Sequence, residues 1–218
     1  TSTSSYANAL TTGPNTFTPT FFLGSAGVTF YSPTVTVQKK QSVTIPVTIT
    51  PAADQPGGQY GGYVVFTPND GSPVLRVPYA GYIGDYQLRQ VLVPTVNGFP
   101  WLAKLNAGTF TNQPAGATYS MVGDDIPFFL VHHDHQAREL RLDVYEAGSG
   151  KLWYTAYKEE FLGRNSSPTS FFAYSWDGIT TKNKNKQLVV PNGSYILRLY
   201  VLKALGDENN PNHWEQWQ

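Results

Sequence analysis

Residues 60–86 read YGGYVVFTPNDGSPVLRVPYAGYIGDY, two short apolar runs wrapped around Asn69-Asp70-Gly71. A turn triplet of that kind between runs of β-branched and aromatic residues predicts a hairpin, with strands over 63–67 and 74–79. The same grammar recurs along the chain. Val43, Ile45, Val47 and Ile49 alternate with Thr44, Pro46 and Thr48, the period of a half-buried strand. Pro46 has no N–H, so that strand is expected at an edge or a bulge. Val28–Phe30 and Val35–Val37 are shorter extended runs, and nothing before residue 90 has a helical period. Strands this short, punctuated by Gly and Pro, pack as sandwiches.

Residues 84–116 are less regular and hold Pro94, Pro100 and several glycines, so a domain boundary is placed near Tyr86. A second strand series follows over 118–122, 127–132, 139–146, 152–157, 171–176, 187–190 and 195–202. Ala147-Gly148-Ser149-Gly150 and Pro191-Asn192-Gly193-Ser194 mark two of its turns. The tail from Gly206, GDENNPNHWEQWQ, has no clear period. The reading is all-β, with two consecutive antiparallel β-sandwiches over 1–86 and 87–218. A chain of 218 residues is long enough for two such domains.

Composition excludes several functions. Fifteen basic residues balance fifteen acidic ones, a neutral chain without the field that attracts nucleic acid. There is no cysteine, which removes disulfides and thiolate chemistry. No apolar run approaches the roughly 18 residues of a membrane span. Asn165-Ser166-Ser167 and Asn192-Gly193-Ser194 fit the N-glycosylation pattern, which makes Asn165 and Asn192 the glycosylation candidates and favours a secreted, extracellular protein.

The only concentrated chemistry is VHHDH, residues 131–135. On an extended strand His133 and His135 share one face, and His132 and Asp134 the other. His133 and His135 are therefore the metal candidates, two ligands where zinc takes three or four. The structural reading, a polar rim closing the apolar strand IPFFLV, is preferred. No G-x-S-x-G elbow and no phosphate loop occurs. Asp124-Asp125 and Glu159-Glu160 are adjacent acids that an extended chain sends to opposite faces. No catalytic residue is assigned and no cofactor is implied. Trp101, Trp153, Trp214 and Trp217 are the candidates for stacking on sugar or protein, against the alternative that such rings fill the cores.

The stretches YGGYVVFTPNDGSPVLRVPYAGYIGDY (60–86), VNGFPWLAKL (96–105), GDDIPFFLVHHDHQARELRLDVYEA (123–147), FFAYSWDG (171–178) and VVPNGSYILRLYVLKALGD (189–207) together resemble one family. It is the region beyond the catalytic domain of secreted subtilisin-like serine proteases, and the likeness covers about four-fifths of the chain. The segment from Trp176-Asp177-Gly178 to Tyr195 also resembles an immunoglobulin-like module of bacterial surface proteins.

The resemblance implies fibronectin type III-like and immunoglobulin-like sandwiches, the first entered after its opening strands. The subtilisin motifs around the catalytic Asp, His and Ser are absent, so no catalytic role carries over and the chain is not expected to be an enzyme on its own. The implied partner is a protease catalytic domain, in the same precursor or as a cleaved chain. The implied work is stability and substrate or surface contact. The alternative is a stand-alone carbohydrate-binding sandwich with protein or glycan ligands.

Overall fold

The computed structural model describes residues 3–5, 7–8, 23–51, 58–182 and 186–218. The protein is all-β, its sheets are antiparallel, and its two compact units divide between Asp85 and Tyr86.

The first unit holds β1 (Thr3–Ser5), β2 (Ala7–Asn8), β3 (Leu23–Ser25), β4 (Gly27–Phe30), β5 (Val47–Thr50), β6 (Gly58–Phe66) and β7 (Leu75–Tyr82). They pair as β1-β3, β4-β5 and β2-β6-β7. The expected hairpin is β6-β7. Its turn is closed by the Asp70 carboxylate, which accepts a hydrogen bond from Ser72 N at 2.9 Å. Gly81 makes room for the Tyr60 ring across the ladder: a Cβ there would lie 2.3 Å from the end of that ring and displace it. Two expectations fail in this unit. Residues 35–37 form no strand, and pairing starts at Val47 rather than Val43. Pro46 is the physical reason for the second: its carbonyl accepts from Tyr31 N, but it has no N–H to return.

Strand register sets an unusual surface. Val64 faces Val77 and Phe66 faces Leu75, so one side of the hairpin carries Tyr60, Val64, Phe66, Leu75, Val77 and Tyr79. Leu75 is 61% exposed and Val77 53%. On the other side Tyr63 and Val65 are exposed too.

The second unit begins with the 3-10 turn Tyr86–Leu88. It continues through β8 (Trp101–Asn106), β9 (Thr109–Gln113), β10 (Phe128–Val131), β11 (Ala137–Glu146), β12 (Leu152–Leu162), β13 (Phe172–Ser175), β14 (Ile179–Lys182), β15 (Lys186–Val189), β16 (Tyr195–Lys203) and β17 (Trp214–Trp217). Sheets β13-β10-β8-β9 and β12-β11-β16-β17 contribute to a common core, and β14-β15 is a separate ribbon. Phe129 and Val131 from one sheet meet Leu140, Leu142, Val144, Leu199 and Val201 from the other. Leu130 points the opposite way, beneath Phe99 and Trp101. That explains the unbroken apolar run of β10: both of its faces are covered.

The observed strands depart from expectation in several places. The irregular stretch contains a regular hairpin, β8-β9, whose turn puts Ala107 and Gly108 at φ 46° and 80°. An alanine in that left-handed position hid the turn. The strand expected over 118–122 is absent, because Met121 (φ 59°) and Gly123 (φ 58°) fold the segment back onto Asp125. The tail holds a strand that no period announced. β17 adds an edge strand to β16, and its Glu215 carboxylate accepts from Val91 N and Leu92 N, both at 2.8 Å.

Candidate functional site

The β10 ladder ends at Val131, opposite Phe172. Beyond it the backbone of VHHDH pairs with residues 91–93: Val93 N donates to His132 O, and Asp134 N to Val91 O. The change of partner breaks the strand's alternation. His133 and His135 are not brought together as expected. Asp134 instead lies between His132 Nε2, at 4.0 Å, and His135 Nε2, at 3.6 Å.

His133 turns away and packs its buried ring against Phe172, with centroids 5.3 Å apart. His132 Nδ1 lies 2.6 Å from Ser170 O, so that nitrogen carries the proton and donates it to the carbonyl. The hydroxyl beside His135 is a phenol, Tyr86, whose O–H donates to Gln136 Oε1 at 2.8 Å and lies 3.4 Å from His135 Nδ1. Among the described residues no cluster of three or more His, Cys, Asp or Glu is arranged to hold a metal. VHHDH is a buried junction between a strand end and two loops.

The second loop is the 163–170 segment, and it corrects a further expectation. Asn165 is 3% exposed, its Oδ1 accepts from His133 N at 2.7 Å, and its own N–H donates to His133 O. A glycan has no room there, whereas Asn192 is exposed in the turn before β16. Glycopeptide mapping after secretion from a eukaryotic host should find sugar on Asn192 and leave Asn165 bare. Modified Asn165 in folded protein would contradict this packing.

The paired acids do not act together. Asp125 bonds Lys104 at 2.8 Å and Ser120 N at 2.9 Å, and Lys104 foremost holds its carboxyl down at about 2. Glu159 takes the Tyr157 hydroxyl, while Glu160 faces Lys158 at 3.5 Å.

Three of the four candidate tryptophans are packing residues. Trp101 stacks on Phe99 and donates to Asn97 O. Trp153 sits among Tyr154, Trp176 and Tyr195. Trp217 meets Phe129 edge-on at 6.1 Å. Trp214 differs. On the outer face of its sheet it borders a hollow of about 390 Å³ together with Arg141, Tyr200, Glu208, Asn209 and Gln216.

The hollow is built on one row of the sheet, because register sets Arg141 beside Tyr200 and Tyr200 beside Gln216. Arg141 lies over both rings, its guanidinium carbon 4.9 Å from the Tyr200 centroid and 5.2 Å from that of Trp214. Beneath it Asp143 Oδ2 accepts from Arg141 Nε at 3.0 Å, and Glu139 Oε1 lies 3.8 Å from Nη1. Both acids are buried and shared with a second partner, Thr155 for Asp143 and Lys158 for Glu139. Sequence reasoning missed Arg141, Tyr200 and Gln216, and read Asn209 only as part of a polar loop with oxygen donors. The alternation of Glu139, Arg141, Asp143 and Tyr145 against Leu140, Leu142 and Val144 was the available signal.

A search of curated proteins finds no match to the chain. The family model of the Fn3-like domain matches residues 2–80, so the first unit is Fn3-like, and the protein joins it to a second antiparallel sandwich that carries the hollow at Trp214.

Proposed function

We propose that this chain is a non-catalytic accessory region of a secreted subtilisin-like serine protease, and that its Fn3-like unit covers an apolar flank of the catalytic domain. One observation carries the reading: Phe66, Leu75 and Val77 stand exposed in one ladder on the β6-β7 hairpin. Contiguous apolar surface beyond a few hundred Å² marks an interaction site rather than ordinary solvent-facing sheet. A partner that buries such a face gains roughly 25 cal/mol for each Å² removed from water.

The test pairs this chain with the catalytic domain of its own precursor and measures binding for the parent and for Leu75→Asp with Val77→Lys. The pair of charges should weaken the complex at least tenfold and leave tryptophan emission unchanged, since Trp101, Trp153, Trp176, Trp214 and Trp217 all lie in the second unit. A gene that encodes no protease domain alongside this region would overturn the reading.

A second reading, a stand-alone carbohydrate-binding sandwich, is favoured by the hollow beside Trp214, where an indole and side-chain amides meet.

A further inference from the structure

We infer that the hollow on β11, β16 and β17 is a binding site for one neutral hexose residue of a glycan. The inference deepens the second reading and does not depend on the first, because a sugar site would serve the chain with or without a protease beside it.

The volume, about 390 Å³, lies within the range of small-ligand sites, about 300–1,000 Å³. Its floor combines the two surfaces a pyranose needs. Tyr200 and Trp214 meet at 89° with centroids 6.3 Å apart, which leaves a sugar the apolar ring surface that the Arg141 guanidinium, lying over both, does not cover. Beside them the Arg141 side chain is one-third exposed and lines the hollow, with its Nε already given to Asp143. A guanidinium has five N–H donors in a fixed fork, and vicinal hydroxyl oxygens are acceptors at matching spacing. Asn209 and Gln216 bring an amide from the loop and an amide from β17, each able to accept from one hydroxyl and donate to another.

Charge selects the neutral ligand. Arg141 faces two buried acids, Asp143 at 3.0 Å and Glu139 at 3.8 Å, so its charge is balanced from beneath. The only acid on the rim, Glu208, is held by Arg138 at 2.9 Å. An anionic ligand would find the hollow's own guanidinium, Arg141, already balanced, and hydroxyls match the donors that remain.

The wall is set before any ligand arrives. Asp207 Oδ1 accepts from both Asn209 N and Asn209 Nδ2. Asn210 Oδ1 accepts from Asn212 N, and Trp214 Nε1 donates to Glu208 O at 3.0 Å. Asp207 N donates to His213 Nδ1 at 2.8 Å. A loop ordered in this way loses little freedom on binding, the usual cost of a weak sugar site.

The experiment titrates the full chain with neutral oligosaccharides of glucose, mannose, galactose and N-acetylglucosamine, and separately with oligogalacturonate, by amide NMR and calorimetry. One neutral series should saturate, shifting the Trp214 indole and the Asn209 and Gln216 side-chain signals. Gln216→Ala and Asn209→Ala should each weaken that binding at least tenfold while the thermal unfolding midpoint stays in place. No saturation by any neutral series up to about 10 mM, weaker than the millimolar scale of simple sugar sites, overturns the assignment. So does binding of the acidic oligomer alone, or binding that both variants leave intact. None of these results bears on the complex with a protease domain, which the Leu75 and Val77 variant tests.

Discussion

Lowering the pH from 7.5 to 4 should cost the second unit about 3 kcal/mol of stability through His133 alone. Burial, foremost, pushes this imidazole down from the ordinary 6.5 to about 4; the neighbouring His132 adds to the shift and the Gly163 backbone opposes it. The ring is buried and lies against Phe172. The direction follows from proton counting. Between pH 6.5 and 4 the unfolded chain takes up a proton that the folded one refuses, so stability is complete above about 6.5 and drains as pH falls toward 4. Two and a half pH units at 1.36 kcal/mol each give about 3 kcal/mol. His135 is shifted downward too, again by burial with Asp134 opposing, and contributes in the same direction.

Urea unfolding followed by tryptophan emission reads this unit selectively, since it holds every tryptophan. Carboxylates also titrate in this range, so the informative quantity is the difference from His133→Phe, which keeps an aromatic ring against Phe172. The variant should lose clearly less stability between pH 7.5 and 4 than the parent. Equal losses would mean that His133 is protonated in the folded state.

The same histidine shows where sequence reading stops. Period-two alternation is sound through Val131, because β13 pairs with every residue of β10 and β8 with Phe128, Phe129 and Leu130. It fails one residue later, where the ladder with Phe172 ends and the loops at 91–93 and 165 supply the next hydrogen bonds. No local pattern announces partners about 40 and 30 residues away. The tail is a related case. Four residues, WEQW, are too few to show a period, and β17 exists because β16 offers an open edge and Asn210 and Pro211 turn the chain onto it.

By contrast β11 was legible in full character: its apolar residues entered the core, and its polar ones form the row beneath the hollow. The hollow itself was not, since Arg141, Tyr200 and Gln216 become neighbours only through the register of three strands. The tryptophans divide for the same reason. Trp214 and Trp217 are three residues apart, so β17 sends them to opposite faces, and only Trp217 reaches Phe129 in the core.

Arg141→Met should destabilise the second unit by about 2–4 kcal/mol, less than the roughly 3–5 kcal/mol of stripping one partner from a fully buried ion pair, because the Arg141 side chain is one-third exposed. The loss is not mainly that of the contacts over Tyr200 and Trp214, which are worth about 1–2 kcal/mol. It comes from Asp143 and Glu139, whose exposures of 3% and 2% leave them little water to turn to once the guanidinium is gone. Glu139 keeps Lys158 at 2.8 Å, and Asp143 keeps the Thr155 hydroxyl at 2.6 Å and the more distant charge of Arg198 across the ladder. Asp143 is therefore the residue left most in debt.

Removing its charge as well should return most of the loss. Arg141→Met combined with Asp143→Leu replaces a buried pair by apolar groups, a change that is often near neutral. The double variant should thus be more stable than Arg141→Met alone, a coupling in the range of about 0.5–3 kcal/mol for residues in direct contact. Urea midpoints by tryptophan emission measure each corner of the cycle, with Asp143→Leu as the fourth species. Strictly additive losses would show that Arg141 is held by its aromatic neighbours alone. Coupled losses would show that the acids fix the guanidinium, which is the condition for a donor that stays in place at the hollow without an anionic ligand to hold it.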